Sequence, residues 1–201
     1  YSYAVVKDSH FHNNTAYAVN TMLGIHSCTE VLVETSSFQN NSGRALIHVT
    51  NTTITLSHLE IINNQPRSAL IILRDTNTTL LHNSITNSTS VSNIQIQNSI
   101  CTISELSCID NVMKLGGAIN CDKSSVHLAL SEMRGNQANL GGSLYSESCH
   151  WNVQDILVSY CVADIGGGFF LSNSTSGYFT NVTLTGNQAY EDGGGAYIGS
   201  G

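Results

Sequence analysis

The feature of this sequence that most constrains its fold is an internal repeat. An apolar residue followed three positions later by a small, usually polar residue recurs every 23 to 27 residues. We call the small residue the anchor of its repeat, and the eight anchors are Asn14, Asn41, Asn64, Ser88, Asn111, Asn136, Cys161 and Asn187. The residues three before the anchors are Phe11, Phe38, Ile61, Ile85, Cys108, Met133, Val158 and Leu184, and those eight before are Val6, Val33, Leu56, Leu80, Ile103, Leu128, Val153 and Phe179. All sixteen are apolar in a chain that is 41% hydrophobic, so they predict two columns of a buried core.

Two looser columns lie ten and five residues before the anchors. They consist of Ala4, Val31, Ile54, Thr78, Cys101, Val126, Trp151 and Gly177, and of Ser9, Ser36, Leu59, Asn83, Leu106, Ser131, Ile156 and Val182. The offsets ten and eight differ by two, as do five and three, which is the alternation of two short strands joined by a bend. Helical spacing does not fit, and hairpins would not make every repeat superpose column by column.

A solenoid with one coil per repeat satisfies these offsets, because each column then becomes a ladder of like side chains along the axis. The sequence therefore predicts an all-β, right-handed, single-stranded parallel β-helix of about eight coils. We expect one domain over residues 1–201. This domain is either a complete protein or a segment of a longer array of repeats. The Asn anchors Asn14, Asn41, Asn64, Asn111, Asn136 and Asn187 are expected to form an amide ladder at a tight corner and to adopt the left-handed conformation there.

A second corner is indicated by glycine-rich segments after the anchors, which are Gly116–Ile119, Gly141–Leu144, Gly166–Phe169 and Gly193–Ala196. Phe11-His12-Asn13-Asn14 and Phe38-Gln39-Asn40-Asn41 match an FxxN motif, and Gly116-Gly117-Ala118-Ile119 matches GGAI. In these two motifs the chain resembles the repeats of polymorphic outer-membrane proteins, which are β-helical adhesins. The resemblance extends over essentially the whole chain and implies a β-helix at a cell surface.

Composition and charge exclude several other classes. The chain has 7 Lys plus Arg against 14 Asp plus Glu, so it lacks a basic stripe for a phosphate backbone, and we expect no nucleic-acid partner. No apolar run approaches the ~18 residues of a membrane-spanning helix, so no membrane span is expected.

Carboxylates from neighbouring coils would be needed for a polysaccharide lyase or hydrolase. The outward positions six and four before the anchors hold Asp8, Thr35, His58, His82, Glu105, Leu130, Asp155 and Asn181, and His10, Ser37, Glu60, Ser84, Ser107, Glu132, Leu157 and Thr183. No two neighbouring coils both supply an acid in either column, so we expect no catalytic residues and no cofactor. A calcium ion near Asp164, Glu191 and Asp192 is a minor alternative to solvated corner acids.

Histidine and cysteine give little sign of a metal site. His10 and His12 share a strand face, but Ser37 and Gln39 occupy the matching positions of the next coil. Of six cysteines, Cys101, Cys108 and Cys161 fall in inward columns. Cys121 and Cys149 approach the same corner on successive coils and are the candidate disulfide among fifteen possible connectivities, whereas Cys28 has no partner in reach and could bond a neighbouring molecule.

Seven Asn-x-Ser/Thr sequons occur, at Asn13, Asn40, Asn51, Asn77, Asn87, Asn173 and Asn181. Asn13, Asn40 and Asn87 each precede an anchor and should point outward along one edge, so we expect N-linked glycans there. This favours a secreted eukaryotic glycoprotein over a bacterial surface protein.

The sequence thus predicts an extracellular structural or adhesive rod, a subunit or segment of a glycosylated surface fibre, with cell-surface glycans as possible partners. The alternatives are a polysaccharide-active enzyme and a passive carbohydrate-binding module that uses Tyr3, Tyr160 or Tyr190. Neither the first coil nor the segment Gly193–Gly201 contains a capping device, so further repeats or other copies are expected to stack head to tail on the ends.

Overall fold

A computed structural model describes residues 2–16 and 21–199, so Ser200 and Gly201 of the C-terminal segment lie outside the described part. This part contains β-strands and no α-helix. Every strand pairing is parallel, and strands of successive repeats pair with each other. The chain is a parallel β-helix of about eight coils, as the repeat predicts.

Each coil has two sheet faces before its anchor. The first face contains strands Tyr3–Lys7, Glu30–Glu34, Thr53–Ser57, Asn77–Leu81 and Ile100–Ser104. The second contains His10–His12, Ser37–Gln39, Glu60–Ile62, Ser84–Thr86 and Ser107–Ile109. In the last three coils one long strand bends through both faces, namely Ser125–Arg134, His150–Ser159 and Ser176–Thr185. The two strands and the bend between them match the offsets of the four columns.

A third face follows the glycine-rich corner. Its eight strands are Leu23–His26, Ile47–Thr50, Ala69–Arg74, Ser92–Gln97, Ile119–Asp122, Leu144–Glu147, Phe169–Ser172 and Ala196–Ile198. Between the second and third faces lie short paired segments, Ser42–Gly43 with Gln65–Pro66 and Val162–Ile165 with Gln188–Asp192.

The core runs along the axis between the three faces. Leu56, Leu80 and Ile103 are direct neighbours in the parallel register, and Leu128 continues the same ladder. These four side chains and Val33 are 0% exposed, which confirms the predicted core column. In the last coil Phe179 of this column is 38% exposed, since a coil covers it on one side only.

Candidate functional surfaces

The corners depend on single residues in the left-handed backbone conformation. One set lies six residues before each anchor and comprises Asp8, Thr35, His58, His82, Glu105, Leu130, Asp155 and Asn181. Another lies one residue before each anchor and comprises Asn13, Asn40, Asn63, Asn87, Asp110, Gly135, Tyr160 and Gly186. The expectation that the anchors themselves are left-handed is therefore wrong. The preceding residue makes the turn, which directs the anchor side chain inward.

The anchors form the expected amide ladder, interrupted where another residue replaces Asn. Asn41 donates its backbone N–H and side-chain amide to Oδ1 of Asn64, at 2.8 and 3.2 Å. Ser88 accepts the backbone N–H of Asn64 through its hydroxyl, and its own backbone N–H donates to Oδ1 of Asn111. Asn187 Oδ1 accepts the backbone N–H of Cys161. The ladder thus satisfies corner N–H groups that would otherwise be buried without partners.

The seven sequons all lie on the outside of the β-helix. Asn173 is half-buried, and the other six asparagines are exposed, namely Asn13, Asn40, Asn51, Asn77, Asn87 and Asn181. Asn13, Asn40 and Asn87 share one corner and one backbone conformation, with φ of 56°, 55° and 49°. Their side chains therefore follow a single edge of the β-helix.

Two sequon amides make contacts with carboxylates. Asn181 Nδ2 donates to Asp155 at 2.6 Å, and Asn173 Nδ2 donates to Glu147 at 2.7 Å. The hydrogen bond from Asn181, with a second from Gln154, lowers the pKa of the Asp155 carboxyl. These two sites differ from the edge sequons, because a glycan there would have to accommodate an existing polar contact.

The structure pairs Cys121 with Cys149 in a disulfide, which confirms the predicted pair. Cys121 lies on the third face, and Cys149 lies past the next corner of the following coil. Cys101, Cys108 and Cys161 are free and buried, and Cys28 is free and half-buried. Burial raises the pKa of the Cys101 and Cys108 thiols far above the ordinary range and that of Cys161 to about 11, so these three are poor nucleophiles.

The histidines contact polar neighbours and each other. Both His10 and His12 hydrogen-bond the Ser37 hydroxyl, at 2.8 and 3.0 Å. The His58 and His82 rings stack at 4.7 Å, and His82 lies 2.7 Å from a carboxylate oxygen of Glu105. These three residues occupy the same bend position in successive coils. They are neighbours because each lies six residues before its anchor.

Desolvation lowers the pKa of the nearly buried His48, with nearby Arg44 adding to the effect. Within residues 2–16 and 21–199, no group of three or more His, Cys, Asp and Glu side chains is arranged to hold a metal ion. That range includes Asp164, Glu191 and Asp192, so the calcium hypothesis gains no support from their geometry.

Two surfaces could contact sugars. Tyr160 is 66% exposed, and a Cβ added to Gly186 would come within 2.8 Å of its ring carbons, so one ring face rests on that glycine. Tyr3 and Tyr190 are also exposed. An open groove of about 620 Å³ crosses four coils at another corner and is lined largely by hydroxyl groups, with Lys123 and His150 beside Ser99, Ser124, Ser125, Ser148, Ser174 and Ser176.

Sequence reasoning missed an aromatic stack on the outside of the third face. Tyr145, Phe170 and Tyr197 are register partners whose rings stack at 5.4 and 5.1 Å. Desolvation, with a contribution from Glu147, raises the pKa of Tyr145 to about 12. Aligning the chain on the glycine-rich corners, rather than on the anchors, would have placed these three residues in one column.

No model of a known protein family matches this chain, and no curated protein matches it. In the part that the structure describes, no helix has the length and apolar character needed to cross a lipid bilayer.

Proposed function

We propose that this chain is a structural or adhesive rod outside the cell, a subunit or segment of a glycosylated surface fibre. The observation that carries the proposal is the line of exposed sequons at one corner, formed by Asn13, Asn40 and Asn87. Glycans at these positions would extend from one edge and leave the other faces of the rod free for contact. The proposal assigns no catalytic centre to the chain.

The disulfide supports an extracellular location. Cys121 and Cys149 are bonded across neighbouring coils. Disulfides persist mainly in oxidising compartments such as the secretory pathway and the cell exterior.

Coil stacking supports the fibre. Successive coils pair in parallel register, so the fold is a stack whose length is set by the number of coils. Such a stack is suited to be one segment of a rod.

The test is glycopeptide mapping of protein from its native source. Enzymatic release of N-glycans in heavy-oxygen water converts each occupied Asn to a labelled Asp, which mass spectrometry locates. We expect label on at least one of Asn13, Asn40 and Asn87. A native protein in which every sequon is unmodified would contradict the proposal.

A passive carbohydrate-binding surface is a second candidate, favoured by the exposed ring of Tyr160 supported by Gly186. Aromatic faces of this kind can stack on sugar rings. Saturation-transfer NMR with an oligosaccharide set should show contact that Tyr160→Ala abolishes and Tyr3→Ala retains. Equal binding by both variants would exclude Tyr160 as the platform.

A further inference from the structure

An apolar stripe runs along the outside of four consecutive coils, just before the glycine-rich corner. It consists of Val91, Leu115, Leu140 and Ile165, all half-buried. Leu115 bridges Leu140, and Leu140 bridges Ile165, in parallel register, while the Leu115 backbone N–H donates to Val91. These four side chains form the floor of an open groove of about 530 Å³. Neither the core nor the proposed glycan edge uses this stripe.

A charged border follows the stripe on one side. Lys114, Asn139 and Asp164 are exposed and occupy equivalent positions of three successive coils, since Asn139 N–H donates to Lys114 and Asp164 N–H donates to Asn139. Glu191 also lines the groove, beyond Asp164. Lys114, Asp164 and Glu191 form no ion pair with any residue in the described ranges. The border is therefore positive at one end, negative at the other and neutral in the middle.

The stripe and its charged border would complement the same surface of a second copy that lies antiparallel to the first. Lys114 and Asp164 lie one coil, or about 4.8 Å, on either side of Asn139. A twofold axis through Asn139 would place Lys114 of each copy opposite Asp164 of the other. The same rotation would place Leu140 on Leu140 and Leu115 on Ile165. Because the interface is isologous, it would close at two copies instead of propagating.

We propose that the stripe is the contact surface of an antiparallel, side-by-side dimer of this chain. The occupant is a second copy, because the charges of Lys114 and Asp164 and the apolar residues Leu115, Leu140 and Ile165 are symmetric about Asn139. Val91, at the end of the stripe, lies outside this symmetric part. This inference is independent of the proposed function, since a lateral dimer forms whether or not the rod is adhesive or glycosylated. It also differs from head-to-tail stacking, in which the last coil of one copy meets the first coil of the next.

The stripe spans four coils, roughly 15 Å along the axis, so the contact is small and the dimer belongs to the weak end of protein interfaces. Sedimentation equilibrium should therefore cover micromolar to millimolar concentrations. We expect the wild-type chain to fit a monomer–dimer equilibrium. A wild-type chain that stays monomeric up to millimolar concentration would overturn the proposal. Association that Lys114→Glu leaves unchanged would also overturn it, since that is the behaviour expected of head-to-tail stacking alone.

Charge reversal tests the antiparallel geometry. Lys114→Glu and Asp164→Lys each place like charges opposite one another twice per dimer, so each should weaken association about tenfold or more. The double variant Lys114→Glu/Asp164→Lys restores both pairs and should associate like the wild type. A 1:1 mixture of the two single variants should also dimerise. In that heterodimer the introduced glutamate of one variant faces the introduced lysine of the other, and the native Asp164 faces the native Lys114.

Lys123→Glu is the matched control, since it reverses an exposed charge at a different corner and should leave dimerisation unchanged. Far-ultraviolet circular dichroism verifies that every variant is folded. Single variants that dimerise as strongly as the wild type would refute the charge pairing. A 1:1 mixture of the two single variants that fails to dimerise would also refute the charge pairing. The occupant of the groove would then be an extended segment of another protein.

Discussion

Asn136 Oδ1 accepts two hydrogen bonds from Asn111, one from its backbone N–H at 3.1 Å and one from its side-chain amide at 3.0 Å. Both residues are 0% exposed and lie in successive coils. The same Asn111 amide donates to the Ile85 carbonyl, so one side chain links three coils. Hydrogen bonds between buried side chains thus hold the corner together from coil to coil.

Truncating that link should be costly. Asn111→Ala removes the acceptor of the Ser88 N–H and the donor to the Ile85 carbonyl, leaving buried polar groups unpaired. We expect a loss of about 2 to 5 kcal/mol in the free energy of unfolding, measured with urea. Asn111→Ser should lose less, because Ser88 fills the equivalent position in the preceding coil. The exposed neighbour Gln137→Ala should change little.

The core column makes a second prediction. Ile103 is 0% exposed between Leu80 and Leu128. Ile103→Ala should lower the unfolding free energy by about 2 to 5 kcal/mol, since it leaves a cavity in a closely packed interior. Thr102→Ala, on the outward face of the same strand, is the control. Similar urea midpoints for the two variants would contradict the assignment of Ile103 to the core.

Thiol accessibility makes a third prediction. Of the four free cysteines, only Cys28 is partly exposed, and burial raises the pKa of the other three. A maleimide reagent should modify one thiol quickly in the folded protein and three more after denaturation. Mass spectrometry of the labelled peptides identifies the sites. Rapid labelling of Cys101 in the native protein would be incompatible with its burial.

The disulfide should stabilise the β-helix. Cys121 and Cys149 are 28 residues apart, so the bond restricts the unfolded chain by about 3 to 4 kcal/mol in the loop-entropy treatment. The double variant Cys121→Ala/Cys149→Ala should unfold at lower urea concentration, and reducing agent should shift the wild type in the same direction. Reducing agent should have no effect on the double variant, which separates the bond from other thiol effects.

One bend position is occupied by a residue poorly suited to it. Leu130 has φ of 50° and is 58% exposed, so its β-carbon is strained without compensating burial. Leu130→Asn should raise the unfolding free energy by about 1 kcal/mol, because Asn tolerates the left-handed conformation better. Leu157→Asn, at an exposed strand position in the next coil, should not stabilise the protein. Thermal unfolding of both variants makes the comparison.

The part of the fold that the sequence predicts differs from one face of the coil to another. The sequence predicts Val33, Leu56 and Ile103 in the core because the two strands before each anchor keep constant offsets from it, and strand alternation turns a constant offset into a constant orientation. The pairing of Cys121 with Cys149 is predicted on the same basis, because the repeat brings the two residues near one corner of successive coils. For these residues the spacing in the sequence is sufficient to predict which side chains face the core and which lie in neighbouring coils.

Beyond the anchor the number of residues between equivalent positions varies from coil to coil. Only the tertiary structure shows which residues share a column there. Tyr145 follows its anchor Asn136 by 9 residues and Tyr197 follows Asn187 by 10, yet their column is continuous through Phe170. The corner absorbs the extra residue, so offsets from the anchor no longer predict register. The symmetry of Lys114 and Asp164 about Asn139 also needs the coils in place, because residues 25 positions apart in sequence become neighbours only when parallel strands stack about 4.8 Å apart.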